Sequence, residues 1–235
     1  MSIYHLHIPR TSGIYIKNNV LPHLITGGVP HFISNRTHID TEKIANSKFV
    51  GGHFGLMPLD YMDNPEVFTI IRHPVDRFIS YFKYTTGLIR MGKEAEERLD
   101  DWLYGKQSDM HSNSQSKFLT GKMNIDYFNN NINYMQEKVS SGWFLENYSL
   151  SKDVVLGNVD KFNCYSLDNH HIFIEDFNKA LHKNFGFQSF THRDPANKSP
   201  DIGIIFGKKE IDRIMELNQL DMEVYEYVQK SKKRY

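Results

Sequence analysis

The 235-residue sequence holds a single cysteine, Cys164, which excludes an intrachain disulfide framework and a cysteine-rich zinc site. Charge of one sign is also missing. Lys plus Arg number 28, Asp plus Glu number 28, and the formal net charge is zero. A general nucleic-acid binder carries a basic excess, so nucleic acid is not an expected partner. No apolar run nears the roughly 18 residues needed to span a bilayer. The opening MSIYHLHIPR has no charged start followed by an apolar signal core. The expectation is a soluble, cytoplasmic protein with no membrane partner. Repeats and long Pro, Gly or Ser linkers are absent too, which leaves one domain over 1–235.

What is present alternates between strand and helix signals. Residues 3–8 are β-prone and run into Pro9-Arg10-Thr11-Ser12-Gly13, which has turn chemistry. A helix is expected over 14–25, interrupted or ended near Pro22, and irregular chain over 26–48. Phe49-Val50 reads as a short strand ending at Gly51-Gly52. Residues 67–71, VFTII, form a continuous β-branched run of the kind buried on both faces of a parallel sheet. Arg72-His73-Pro74 follows, and 75–84 has helical spacing with Pro74 near its first turn. Further helices are expected over 94–104, over 172–184 closed by Gly186, and over 211–228. Residues 124–134 read as a loop or ragged helix start, and 152–156 and 164–167 as late strands. Strand, turn, helix recurs at 3–25 and 67–84, so the fold expected is α/β, an open, mostly parallel sheet flanked by helices. Ligands of such sheets bind beyond the carboxyl ends of the strands, where both turns fall.

The first turn suits an anion. A helix N-terminus offers unpaired N–H groups, including those of Thr11 to Ile14. Thr11 and Ser12 add hydroxyls, Gly13 permits close approach, and Arg10 adds a planar fork of charged donors. The same residues would also serve as a simple helix cap. The Walker A spacing G-x-x-x-x-G-K-[ST] is not there, which argues against a nucleotide kinase. The second turn places Arg72 at the end of a buried strand and Ser80 about two helical turns further on. His5 and His7 share a strand face, yet no further ligand at a known spacing joins them, and no metal is expected. Cys164 reads as a small buried apolar residue. Trp102 and Trp143 suit packing or stacking on a sugar.

Taken together, a strand followed by H-I-P-[KR]-T-x-G and, about sixty residues later, a strand followed by R-x-P-V-x-R-F-x-S-x-[YF] resembles carbohydrate sulfotransferases of the heparan sulfate 2-O-sulfotransferase type and their small microbial and viral relatives. Gly52-His53-Phe54 looks like the G-H-F element of that family. Asn113, Gln115, Lys117, Leu119 and Gly121 look like its N-x-Q-[TS]-[RK]-x-L-x-G stretch. Residues 174–186 look like its glu-x-phe helix, Asn197-Lys198-Ser199 like its loop near the donor, and Leu220-Asp221 with Tyr225 like its terminal L-D-x-x-x-Y helix. The resemblance implies a P-loop-like sulfotransferase fold and 3′-phosphoadenosine 5′-phosphosulfate (PAPS) as co-substrate, without a metal. It implies Arg10, Thr11, Ser12, Gly13 and Ile14 at the 5′-phosphosulfate, Arg72 and Ser80 at the 3′-phosphate, and Lys198 and Ser199 near the donor. His53 is the candidate base and Arg10 the catalytic cation, acting on a hydroxyl, expected to belong to a carbohydrate. The chain departs from the family where Arg10 replaces the usual Lys and where Ser12, Ile14 and Tyr15 replace Gly, Thr and Ser. A non-catalytic nucleotide- or glycan-binding module on the same fold is therefore the alternative. The acceptor, the position sulfated and the oligomeric state have no code in the residues.

Overall fold

The computed structural model describes residues 1–11, 13, 16–33, 38–89, 94–130, 145–187 and 202–231. Five strands form one parallel sheet: β1 (Ile3–Leu6), β2 (His31–Ile33), β3 (Phe49–Gly52), β4 (Glu66–Ile71) and β7 (Asn163–Ser166), in the order β2-β3-β1-β4-β7. Two-residue strands β5 (Lys122–Met123) and β6 (Leu145–Glu146) pair antiparallel beside it. The α/β expectation, an open parallel sheet flanked by helices, is met.

Side chains of a strand alternate between faces, and β1 divides the core accordingly. Ile3, with Phe49 of β3 and Phe68 and Ile70 of β4, packs on one face against Phe173, Phe177 and Leu181. Those three residues belong to helix α9 (His170–Phe185), which stops where Gly186 takes a left-handed φ of 73°. Tyr4 and Leu6 face the other way, toward Phe118, Val155, Val159, Val224 and Val228. Each fully buried side chain of this size contributes roughly 1.5–3 kcal/mol. A third cluster gathers around Trp102, which is buried among Phe78, Tyr81, Phe82 and Leu103.

The helices in chain order are α1 (Leu21–Thr26), α2 (Thr41–Ala45), α3 (Pro74–Ile89), α4 (Glu94–Tyr104), α5 (Ser108–His111), α6 (Ser114–Thr120), α7 (Ile125–Asn130), α8 (Lys152–Lys161), α9, α10 (Lys208–Leu217) and α11 (Gln219–Ser231). Several of them correct the sequence reading. Residues 152–156 are the start of helix α8 and not a strand. Val155 and Val159 are its two buried residues, and their four-residue spacing is a helical stripe that outweighs the β-branched run. The stretch 211–228 is two helices, because Asn218 leaves helical backbone angles (φ −121°, ψ 33°). Its side-chain amide donates back to the Ile214 carbonyl at 2.8 Å, so the break is buried and satisfied. Residues 26–48 are not wholly irregular. They hold β2 and α2, the latter capped by Asp40, whose carboxylate accepts from the Lys43 amide at 3.2 Å. Pro22 does not end the first helix but sits in the opening turn of α1, after a π-helical turn at Ile16–Val20.

Among the described residues, no helix is long and apolar enough to cross a membrane. Cys164 is buried.

Candidate active site

β1 and β4 are neighbours at the centre of the sheet, yet the chain leaves them in opposite directions, toward β2 and toward β7. Such a divergence opens a crevice at the carboxyl ends. Register puts Leu6 beside both Gly52 and Thr69, so the segments after β1, β3 and β4 emerge side by side.

The first turn is held by its own neighbours. The Thr11 hydroxyl donates to the Ile8 carbonyl at 2.6 Å and closes the bend. Arg10 takes a φ of 68°, a left-handed conformation uncommon for a residue with a Cβ. Gly13 lies directly on the His7 ring: a Cβ built there would fall 1.8 Å from its Cε1. Only glycine fits, because the helix start must approach an imidazole closely.

His7 belongs to a run of three imidazoles. Its ring centroid is 5.5 Å from that of His5 and 4.2 Å from that of His53. Burial, then the neighbouring His53, depress His5 from 6.5 to about 3. Burial, His53, His5 and Arg10 together hold His7 well below the usual histidine range. Both are therefore neutral at physiological pH. Nδ1 of His53 is 2.7 Å from the His7 carbonyl, and a carbonyl can only accept. In a neutral His53 the proton is thus on Nδ1, and Nε2 carries the lone pair.

Arg10 leaves the first turn and reaches the helix that follows the second. Its Nε donates to the Ser80 hydroxyl at 3.1 Å, across 70 positions of sequence. Its guanidinium lies over the Tyr84 ring, 4.6 Å from the centroid. Burial, and the nearby Arg72, lower the Arg10 pKa against the opposing influence of Tyr84. Arg10 and Arg72 both follow strands at the same edge of the sheet. Burial likewise lowers Arg72, opposed by Asp76 and Asp168.

The second turn is held from a distance. The Gln115 side chain grips the Arg72 backbone twice: its Oε1 accepts from the Arg72 amide at 2.8 Å and its Nε2 donates to the Arg72 carbonyl at 2.9 Å. Asp168 accepts from the Tyr225 hydroxyl and from Gln229 Nε2. Burial, then Asp168, push the Tyr225 phenol up to about 12. The Tyr225 ring meets the His73 ring edge-on at 5.2 Å.

Of the expected site residues, Arg10, Thr11, Gly13, His53, Arg72 and Ser80 all fall at this one edge. Ser12, Ile14, Lys198 and Ser199 lie outside the described residues, as does Trp143. Among the described residues no group of three or more His, Cys, Asp or Glu could hold a metal ion. Sequence reasoning placed Gln115 and Asp221 in family-like stretches without a role, weighed His7 only as a metal ligand beside His5, and gave Tyr84 nothing. The only signal for Gln115 and Asp221 in the sequence was their place in those stretches, and in the fold each is 1% exposed. A cleft of about 690 Å³, lined by His38, Asp60, Tyr61, Lys122, Asp126 and Glu146 among others, shares no residue with the two turns.

Comparison with known proteins adds little to this geometry. No family of known proteins and no curated protein matches the chain. Among solved structures, the fold is similar to that of a sulfotransferase from Alicyclobacillus acidocaldarius, at 9% identity and a TM-score of 0.48, over 97% of this chain and 95% of that one.

Proposed function

We propose that the protein is a sulfotransferase that moves a sulfuryl group from PAPS to a hydroxyl, expected to belong to a carbohydrate. The observation that carries this reading is the Arg10–Ser80 contact, which joins the turn after β1 to the helix after β4. Cationic and hydroxyl groups from two distant segments meet there, and that is the chemistry a donor with an anionic group at each end needs.

In this reading the backbone N–H groups of residues 11–14, with Thr11, Ser12 and Arg10, surround the 5′-phosphosulfate, while Arg72 and Ser80 hold the 3′-phosphate. Lys198 and Ser199 complete the donor side. Sulfuryl transfer resembles phosphoryl transfer, an in-line displacement with charge on the equatorial and leaving oxygens. His53 Nε2 takes the acceptor O–H proton as the acceptor oxygen bonds to sulfur. The bond from sulfur to the bridging oxygen breaks, and its electron pair leaves on 3′-phosphoadenosine 5′-phosphate. Arg10 stabilises that oxygen by hydrogen bonding and does not give it a proton, because a guanidinium stays charged.

The same contact favours a second reading, a module that binds nucleotide or glycan without turnover, since Arg10 is engaged along α3. Transfer of labelled sulfate to a panel of carbohydrate acceptors separates the two. His53→Gln is expected to lower transfer by about 10²–10⁴-fold with donor binding retained. Folded wild-type protein that does not bind 3′-phosphoadenosine 5′-phosphate in calorimetric titration would refute the sulfotransferase reading.

A further inference from the structure

We propose that Gln115 and Asp221 are positioning residues for Arg72, and through it for the 3′-phosphate end of the donor; this rests on the donor-site reading above. β4 pairs with β7 as far as Ile71 opposite Ser166. Arg72 is the next residue, so no strand partner fixes its backbone there. The Gln115 carboxamide takes that place, satisfying the Arg72 N–H and C=O together. A two-point clasp fixes the orientation of the peptide as well as its position, and so sets the direction in which the guanidinium leaves the chain.

Gln115 is itself held. Asn113, just before α6, has a left-handed φ of 40° and gives that helix no side-chain cap. The cap comes from α11, more than a hundred positions later: Asp221 Oδ2 accepts from the Gln115 amide at 2.9 Å, and Oδ1 accepts from the Ser116 amide at 2.8 Å and the Ser116 hydroxyl at 2.6 Å. Asn113 Oδ1 returns the contact by accepting from the Asp221 amide at 3.2 Å. Three N–H or O–H donors converge on one buried carboxylate, with the buried Arg77 as its positive neighbour. Apolar residues of similar volume would fill this space without burying charge. What the polar chain Asp221, Gln115, Arg72 adds over them is direction.

The test uses the full chain and two nucleotides, adenosine 3′,5′-bisphosphate and adenosine 5′-monophosphate, by calorimetric titration. Wild type should prefer the bisphosphate. Gln115→Ala should weaken the bisphosphate about tenfold while the monophosphate changes less than about twofold. A structural defect alone would weaken both equally, and that outcome, or an unchanged preference in folded Gln115→Ala, overturns the proposal while leaving the donor site standing. Wild-type protein without the preference, or with a preference untouched by Arg72→Ala, overturns the donor-site reading and this proposal with it. Should Gln115→Ala fail to fold, Gln115→Met keeps the volume and Asp221→Asn keeps the shape of the cap. Both are read by the same ratio, which must fall for the proposal to stand.

Discussion

The two turns at the carboxyl edge of the sheet are held in different ways. The turn after β1 is a local object, with Thr11 bonded to Ile8 and Gly13 seated on His7, all within seven positions. The turn after β4 is an assembled one. Arg72 is clasped by Gln115, which is 43 positions away, and Gln115 is capped by Asp221, 106 further on. Close packing fixes the first turn sterically, whereas hydrogen bonds that can be removed one at a time fix the second. A single added methyl group should therefore wreck one, and the other should weaken in steps.

The largest effect is expected from Gly13→Ala. With the new Cβ 1.8 Å from His7 Cε1, the turn must shift, at a cost of about 3 kcal/mol. Thermal unfolding would show it, and His7→Ser in the same chain should restore much of the loss. An unchanged midpoint would mean the first turn is as yielding as the second. Next comes Asp221→Asn, which turns one acceptor oxygen into a donor facing donors. It should destabilise by about 2 kcal/mol, measured by denaturant titration, and leave Gly13 and His7 undisturbed. The smallest effect separates the turns by pH. His5 and His7 lie beneath the first turn and resist protonation when folded but not when unfolded, so the unfolded chain binds more protons below pH 6.5 and stability falls on acidification. For His5 alone the loss at pH 5.5 is about 1.4 kcal/mol, and His5→Phe should flatten that part of the acid limb. A stability profile flat from pH 7.5 to 5.5 would break the assignment.

This contrast also explains what could be read in the residues. VFTII and the strand-turn-helix around Arg10 are local patterns, and β1, β4 and both turns stand where those patterns put them. Helix α9 was equally plain, because its apolar face and its closing Gly186 are adjacent in sequence. The edge strand β2, HFI, was not, since its three residues are all half-buried and its partner β3 lies far along the chain. The division between α10 and α11 was hidden because one asparagine makes it and the apolar spacing runs on through it. Among candidate site residues, Arg10, His53 and Arg72 announce themselves by residue type at the end of a strand. Gln115 and Asp221 do not, because their work is done by a side chain meeting another segment's backbone.

The cap that Asp221 supplies also sets an order of assembly. Contacts between residues 105 or 106 positions apart carry a loop-closure cost comparable with that of pairing β4 with β7 across 95 positions. A nascent chain that has released only β1 through β4 already owns both arginines, but has neither Gln115 nor Asp221, so its second turn lacks both clasp and cap. On the proposed donor-site reading, the grip on the 3′-phosphate is complete only when both residues have joined the fold.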